Sequence, residues 1–397
     1  MADYTYNLHN IIGVTIRGED NNFVRYCRKE LDGFESVAFD GAIEKQPQHI
    51  HLSIGPVPND SDHILSLGKG VFLEKDHDKI LLSRDAHTSL FRAEDIYASI
   101  TNAYTLHKSS IDIRVNPYTL LQSPSFSRPA SFYKRYIKLD PRTPQERAAE
   151  SFFSQVLEPL FYRCYLASGW VLLHAAAVER DNRVCLILGP QNIGKTSFTV
   201  ELARRGWNML GDDMCLLSRN GDVLAHPKPL KIENEHFKRD TSFHKSIALS
   251  HSKLAGVVNS IYRWIVKRHG SFEFKASPSE LSIPLAHEGA LRSIFVLQRW
   301  NKSESVQLPS VTSIPYTEAS TLLGQHVAAE VDVNKRLDSD IRHMLTLHGL
   351  GPASLSLLTD QAQSIIDEAS RDKDCFLLNM HVPDRTAVDA FEETLIG

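Results

Sequence analysis

The chain has 397 residues, 42% hydrophobic and 23% charged, with a formal net charge of −4. That is ordinary globular composition, long enough for two or three domains, and its slight acidity gives no electrostatic footprint for nucleic acid. No apolar run reaches the roughly 18 residues of a membrane span, and the opening Met1-Ala2-Asp3-Tyr4-Thr5 has neither the basic nor the apolar region of a signal peptide. Five cysteines (Cys27, Cys164, Cys185, Cys215 and Cys375) are scattered without a C-x-x-C pair, which points to free thiols in a cytoplasmic chain. Cys185 and Cys215 sit inside apolar runs and read as small core residues.

Residues 1–120 read as a small α+β domain. Ile11–Ile16 and His49–Ile54 have strand character, the second with strict alternation, and Asn22–Leu31 has the spacing of a short amphipathic helix. Gly70–Leu73 and Lys79–Leu82 flank a charged turn, Glu74–Asp78, and suggest a hairpin. His49 and His51 lie two apart and share a strand face; with no third ligand marked, they read as a solvated face rather than a metal site. Residues 121–145, rich in Ser, Pro and Arg, read as a linker. Thr143 is placed to cap a helix that has Pro144 in its first turn and runs to about Ala167. Its stripe of Phe153, Val156, Leu157, Leu160, Phe161 and Cys164 is a core face.

Residues 146–397 read as an α/β domain. Val171–Leu173 leads to His174, which is expected to end one strand of a hairpin with the following apolar run, Val184–Leu188. That run enters Gly189-Pro190-Gln191-Asn192-Ile193-Gly194-Lys195-Thr196, which fits G-x-x-x-x-G-K-[ST] at every fixed position and opens a helix-like segment from Ser197 to Arg205. Strand, glycine loop and helix together make a phosphate cradle: backbone N–H groups of the loop and of the helix start face the phosphates, the lysine reaches the β- and γ-phosphates and the hydroxyl holds Mg²⁺. Gly189, Asn192, Ile193, Gly194, Lys195, Thr196 and Ser197 are therefore the expected ATP-binding residues, with Thr196 also on the metal.

Asp212 and Asp213 follow a second strand, Trp207–Leu210, 17 residues after Lys195. Adjacent strand residues point to opposite faces, so one carboxylate is free to meet Mg²⁺ and the other to accept a hydroxyl proton. Asn220-Gly221 marks a hairpin, and Lys228, Lys231 and Glu233 are further polar groups within reach in sequence. The basic cluster Arg263, Lys267 and Arg268 reads as solvated surface. Ile294–Leu297 and Phe376–Leu378 read as later strands, and residues 236–290 show mixed polarity without a readable period.

The combination resembles the HPr kinase/phosphorylase superfamily, especially its HPr-kinase-like branch in peptide-tailoring clusters, which includes lasso-peptide kinases. The shared pattern is a histidine 15 residues before the glycine loop (His174 to Gly189), then Gly206-Trp207-Asn208-Met209-Leu210-Gly211-Asp212-Asp213 after its helix. It spans about residues 150–235, and the first 120 residues match nothing in that family. The resemblance implies a P-loop core of HPr-kinase type with a mixed sheet, beside the smaller N-terminal α+β domain. It also implies Asp212 as the residue activating the acceptor hydroxyl, Asp213 at the metal, and His174 near the phosphates. This chain departs from the pattern at Gln191-Asn192, where the family has Ser-Gly, and at Ser197, where true HPr kinases have an acid. It also lacks the acidic–Arg–Gly run of the bifunctional enzymes. These departures argue against HPr as substrate and against phosphorolysis.

The expectation is an ATP- and Mg²⁺-dependent kinase for a serine or similar hydroxyl in a peptide or protein, such as a ribosomal precursor peptide, with the N-terminal domain as recognition module and homo-oligomers through the core domain by family analogy. Two alternatives stand beside it. One is a kinase of free serine or another metabolite; the other is an ATP-binding switch or scaffold with weak hydrolysis.

Overall fold

A computed structural model describes residues 2–37, 48–54, 64–66, 71–76, 79–84, 96–101, 109–115, 143–190, 193–233, 273–299, 309–325, 327, 355–381 and 384–396. Content is mixed α/β, in two compact units: Met1–Ser168 with Val331–Leu358, and Gly169–Glu330 with Thr359–Gly397. The linker expected at 121–145 lies almost wholly outside the described residues, as does the Arg263, Lys267 and Arg268 cluster.

The first unit carries a nine-stranded sheet in the order β3-β1-β2-β4-β9-β8-β7-β6-β5. Its strands are β1 (Ala2–Leu8), β2 (Ile12–Gly18), β3 (Glu35–Val37), β4 (Gln48–Ile54), β5 (Ile64–Ser66), β6 (Val71–Asp76), β7 (Lys79–Arg84), β8 (Ile96–Thr101) and β9 (Ser109–Val115). Strands β2, β4 and β9 run parallel, and β5 to β9 form an antiparallel meander. The expected hairpin is the β6–β7 pair, closing between Asp76 and Lys79. Helix α1 (Asn22–Glu30) starts where the Asn21 side chain accepts from the Val24 N–H, the side-chain capping that favours Asn at this position.

Thr143 and Glu146 form a reciprocal capping box at the start of α2 (Pro144–Phe152), satisfying two otherwise orphaned donors. One turn of π-helix, Phe153–Leu157, joins α2 to α3 (Glu158–Ala167). The predicted stripe is core: Phe153, Leu157, Phe161 and Cys164 are all buried. This helical run belongs with the first unit, where Phe152 packs on Phe23 of α1 at 5.8 Å.

The histidine pair on β4 corrects the expectation of a solvated face. His49 is 8% exposed, its Nε2 lies 3.2 Å from the Thr15 hydroxyl, and its ring stacks on His51 at 3.9 Å. Burial, reinforced by the His51 charge, lowers the His49 pKa to about 4. Thr15 of the parallel neighbour β2 meets His49 on that face, a contact that alternation within one strand does not reveal.

The second unit is built on a mixed sheet with a separate two-stranded sheet. The main path is β10-β14-β15-β18-β12-β11-β13. It comprises β10 (Trp170–Leu173), β11 (Ala176–Arg180), β12 (Arg183–Leu188), β13 (Asn208–Gly211), β14 (Cys215–Ser218), β15 (Asp222–Ala225) and β18 (Glu288–Arg299). The smaller sheet pairs β16 (Leu230–Glu233) with β17 (Glu273–Ala276). The long β18 is central: β12 runs parallel on one side, and β15 then β20 (Asp374–Met380) share the other. An edge strand, β19 (Ser310–Ser313), pairs with β20. The unit's helices include α4 (Lys195–Arg204), α5 (Leu355–Ser370), which enters it at Thr359, and α6 (Arg385–Ile396), and residues 316–325 are helical as well.

The hairpin expected to include His174 is corrected here. The partner of β12 is β11, whereas β10, which His174 follows directly, pairs antiparallel with β14. Four-residue apolar runs such as Trp170–Leu173 carry no label of their partner, so the sequence could not separate the two pairings. The Asn220-Gly221 turn does close a hairpin, β14–β15.

Phe198 and Leu202 of α4, Phe295 and Leu297 of β18, Leu378 and Met380 of β20, and Val388 and Phe391 of α6 share one buried cluster. Its rings meet closely, Phe391 lying 4.3 Å from Phe295 and 5.4 Å from Phe198. At its rim Arg205 donates to Asp389 at 2.5 Å and Glu392 at 2.9 Å, and the Trp207 indole donates to Glu392 at 2.9 Å. Among the described residues, no helix is long and apolar enough to cross a membrane.

Candidate functional site

The site forms where β12 and β13 end. Strand β12 stops at Leu188, and the chain re-enters helical geometry at Gly194, whose φ of +108° suits glycine above other residues. Gln191 and Asn192, the centre of the loop, lie outside the described residues. Gly189 opens the loop, Ile193 is buried beneath it, and Lys195, Thr196 and Ser197 form the first turn of α4.

Helices α4 and α6 start differently. The Asp384 carboxylate caps α6, accepting from the N–H groups of Thr386 at 3.1 Å and Ala387 at 3.2 Å. Helix α4 has Gly194 as N-cap and no side-chain cap. Its first N–H groups keep the partial positive charge of a helix start, and no side chain among the described residues caps them. Lys195 is 8% exposed, and its Nζ donates to the Gly189 carbonyl at 2.7 Å and the Pro190 carbonyl at 3.4 Å. Burial lowers its pKa, against the pull of Asp213 and Asp212.

Strand β13 ends at Gly211, and Asp212 and Asp213 occupy the bend that follows rather than the strand itself. The turn depends on glycine for space, since a Cβ on Gly211 would lie 1.9 Å from the Met214 carbonyl oxygen. The bend separates the two carboxylates. Asp212 is 7% exposed, whereas the Asp213 side chain is 42% exposed.

Thr196 Oγ1 donates to Asp212 Oδ2 at 2.7 Å, joining the start of α4 to the Asp pair. Asp212 Oδ1 is buried and accepts no hydrogen bond among the described residues. Burial pushes the Asp212 pKa up to about 7; the Thr196 hydrogen bond opposes this and the Asp213 charge adds to it. For Asp213 burial also pushes upward, but Lys228, His174, Lys231 and Lys195 outweigh it and hold the carboxyl below its usual range. His174 Nε2 stands 3.4 Å from Asp213 Oδ1. Two adjacent carboxyl groups thus have opposite tendencies, one toward holding a proton near neutral pH and one toward staying ionised, the arrangement that divides acid–base roles.

The structure therefore brings His174, Lys195, Thr196, Asp212 and Asp213 into one site, with Gly189, Ile193, Gly194 and Ser197 forming its loop and helix start. Sequence reading paired Thr196 with Asp213 as metal groups; the direct contact is with Asp212. No group of three or more His, Cys, Asp or Glu suited to a metal occurs among the described residues. Sequence reading also missed Arg299, whose guanidinium donates to the Ile193 carbonyl at 3.3 Å. The apolar signal of β18 fades at Leu297, two residues short of it. A scan of family models finds none that matches this chain, and no curated protein matches it.

Proposed function

We propose that the second unit is an ATP- and Mg²⁺-dependent phosphotransferase that moves the γ-phosphate to a serine or similar hydroxyl of a peptide or protein. The observation that carries this reading is the Thr196–Asp212 contact, which ties a lysine-bearing helix start without a side-chain cap to a buried carboxylate whose other oxygen accepts no hydrogen bond among the described residues.

The residues fit the two groups the reading requires. The N–H groups at the start of α4 and the Lys195 ammonium suit a polyphosphate. The Thr196 hydroxyl beside the Asp212–Asp213 pair offers the few oxygen ligands that Mg²⁺ takes when it keeps several waters. When bound there, Mg²⁺ would supply charge neutralisation for the transferred phosphoryl group. Lys195, whose ammonium donates to the Gly189 carbonyl, would hold the phosphates when nucleotide is bound. Asp212 Oδ1 takes the acceptor hydroxyl's proton, and a pKa near neutrality suits a group that must both accept and release it. Asp213, kept anionic by Lys228, His174 and Lys231, stays available to the cation.

The test is incubation of the protein with γ-labelled ATP and Mg²⁺, with and without cell extract or a candidate peptide, read by intact mass. One added phosphate on a peptide or protein, lost in Lys195→Ala and Asp212→Asn, supports the reading. Label confined to metabolites moves the acceptor to small molecules. Tight ATP binding with only slow release of free phosphate leaves a nucleotide-dependent switch, and no ATP binding overturns the proposal.

A further inference from the structure

Strand β18 does more than support the core. Its Val296 pairs with Leu188, the last residue of β12, so Leu297, Gln298 and Arg299 run on beside the loop that follows β12. Leu297 backs the first glycine: a Cβ on Gly189 would meet the Leu297 Cβ and carbonyl oxygen at 3.3 Å. Arg299, the final residue of the strand, reaches the other end of the loop and donates to the Ile193 carbonyl. Among the described residues, two side chains hydrogen-bond this loop's backbone: Lys195, from the helix the loop opens, holds the Gly189 and Pro190 carbonyls, and Arg299, from β18, holds that of Ile193.

The Ile193 carbonyl and the Gly194 N–H belong to the same peptide plane. That peptide is trans, and in a trans peptide the C=O and N–H point in opposite directions. A donor that holds the carbonyl therefore sets the direction of the N–H. Gly194, with its positive φ and no side chain, would otherwise rotate this plane more freely than any other residue. Resting on the phosphotransferase reading above, we propose that Arg299 is a positioning residue for the nucleotide. By holding the Ile193 carbonyl, it keeps the Gly194 N–H turned to the opposite side of the loop, as a donor to the phosphate chain. Arg299 acts through the backbone, so it governs affinity for the phosphates rather than the transfer step.

The experiment is calorimetric titration of the full chain with ADP, inorganic triphosphate and adenosine, with ATP kinetics in parallel, for wild type, Arg299→Ala, Arg299→Lys and Lys195→Ala. Losing a hydrogen bond from a charged, partly exposed donor is expected to weaken ADP and triphosphate binding about three- to tenfold. The KM for ATP should rise in proportion with kcat nearly unchanged, and adenosine binding should stay as it was. Arg299→Lys, which keeps a cationic donor, should recover part of the loss. Arg299→Met preserves the packing of the stem and replaces Arg299→Ala if that variant does not fold. Unchanged ADP affinity in the variant, or equal weakening of ADP and adenosine, overturns the inference while the phosphotransferase reading survives. A wild-type protein that binds neither ADP nor triphosphate overturns both.

Discussion

Replacing Asp212 by Asn should remove activity and add stability, with the gain set by pH. In the folded protein burial lifts this carboxyl from the ordinary 3.8 to about 7, which disfavours its ionised form by about 4 kcal/mol. Below both values the two states hold the proton alike and no penalty arises. Between them the folded protein binds the extra proton, so wild-type stability falls as pH rises from about 4 to about 7, and the loss is complete above. Asn carries no charge, and its amide oxygen still accepts from Thr196. Allowing for relaxation around the buried charge, Asp212→Asn should exceed wild type by about 1–4 kcal/mol at pH 8.5, with the gap shrinking toward pH 4. Urea denaturation at pH 5, 7 and 8.5, with chelator and no nucleotide, measures this. All four tryptophans, Trp170, Trp207, Trp264 and Trp300, lie within the second unit's range, so their fluorescence follows the right transition. A gap that does not vary with pH, or a variant less stable at pH 8.5, refutes the reasoning. The same variant should lose about 10²- to 10⁴-fold in transfer, as removal of a general base does.

Gly211→Ala should cost about 1–3 kcal/mol or more and abolish labelled-phosphate transfer, because the Met214 carbonyl leaves no room for a methyl group; a wild-type urea midpoint in that variant would remove the steric account of the bend. In the first unit, His49 is buried with its pKa lowered to about 4. A histidine depressed on folding contributes stability that is full above its unfolded value near 6.5 and is lost as pH falls toward 4. His49→Gln should flatten that acid limb, as read by far-ultraviolet dichroism melts from pH 7 to 4.5, and a limb of unchanged slope would show that another group governs it.

What the sequence disclosed and what it withheld follow from the range of the interactions involved. Local signals were read well: the Thr143 cap, the Asn220-Gly221 turn, the β6–β7 hairpin and the alternating run of β4 all depend on neighbours within a few residues. Strand β1 carries the same alternation, Asp3, Thr5 and Asn7 against Tyr4, Tyr6 and Leu8, and was passed over; its pairing with β2 and β3 is what makes it a strand. Within the site, spacing alone brought forward Lys195, Thr196 and the Asp pair. The deeper burial of Asp212 than of Asp213 came with the bend after Gly211, and Arg299 came from a parallel pairing between β12 and β18. Such pairings join segments about a hundred residues apart, and no local pattern records them.

The aromatic cluster that joins α4 to α6 has a kinetic consequence. Arg205 finds two of its carboxylate partners 184 and 187 residues further along the chain, and Phe391 arrives last among the rings that fill the space between Phe198 and Phe295. Contacts of such sequence separation form slowly, because the intervening chain must be ordered before they repay its entropy. During synthesis the apolar faces of α4 and β18 therefore wait uncovered until residues 385–396 emerge. The interval before α6 docks is when this unit is most exposed to aggregation and to chaperone capture.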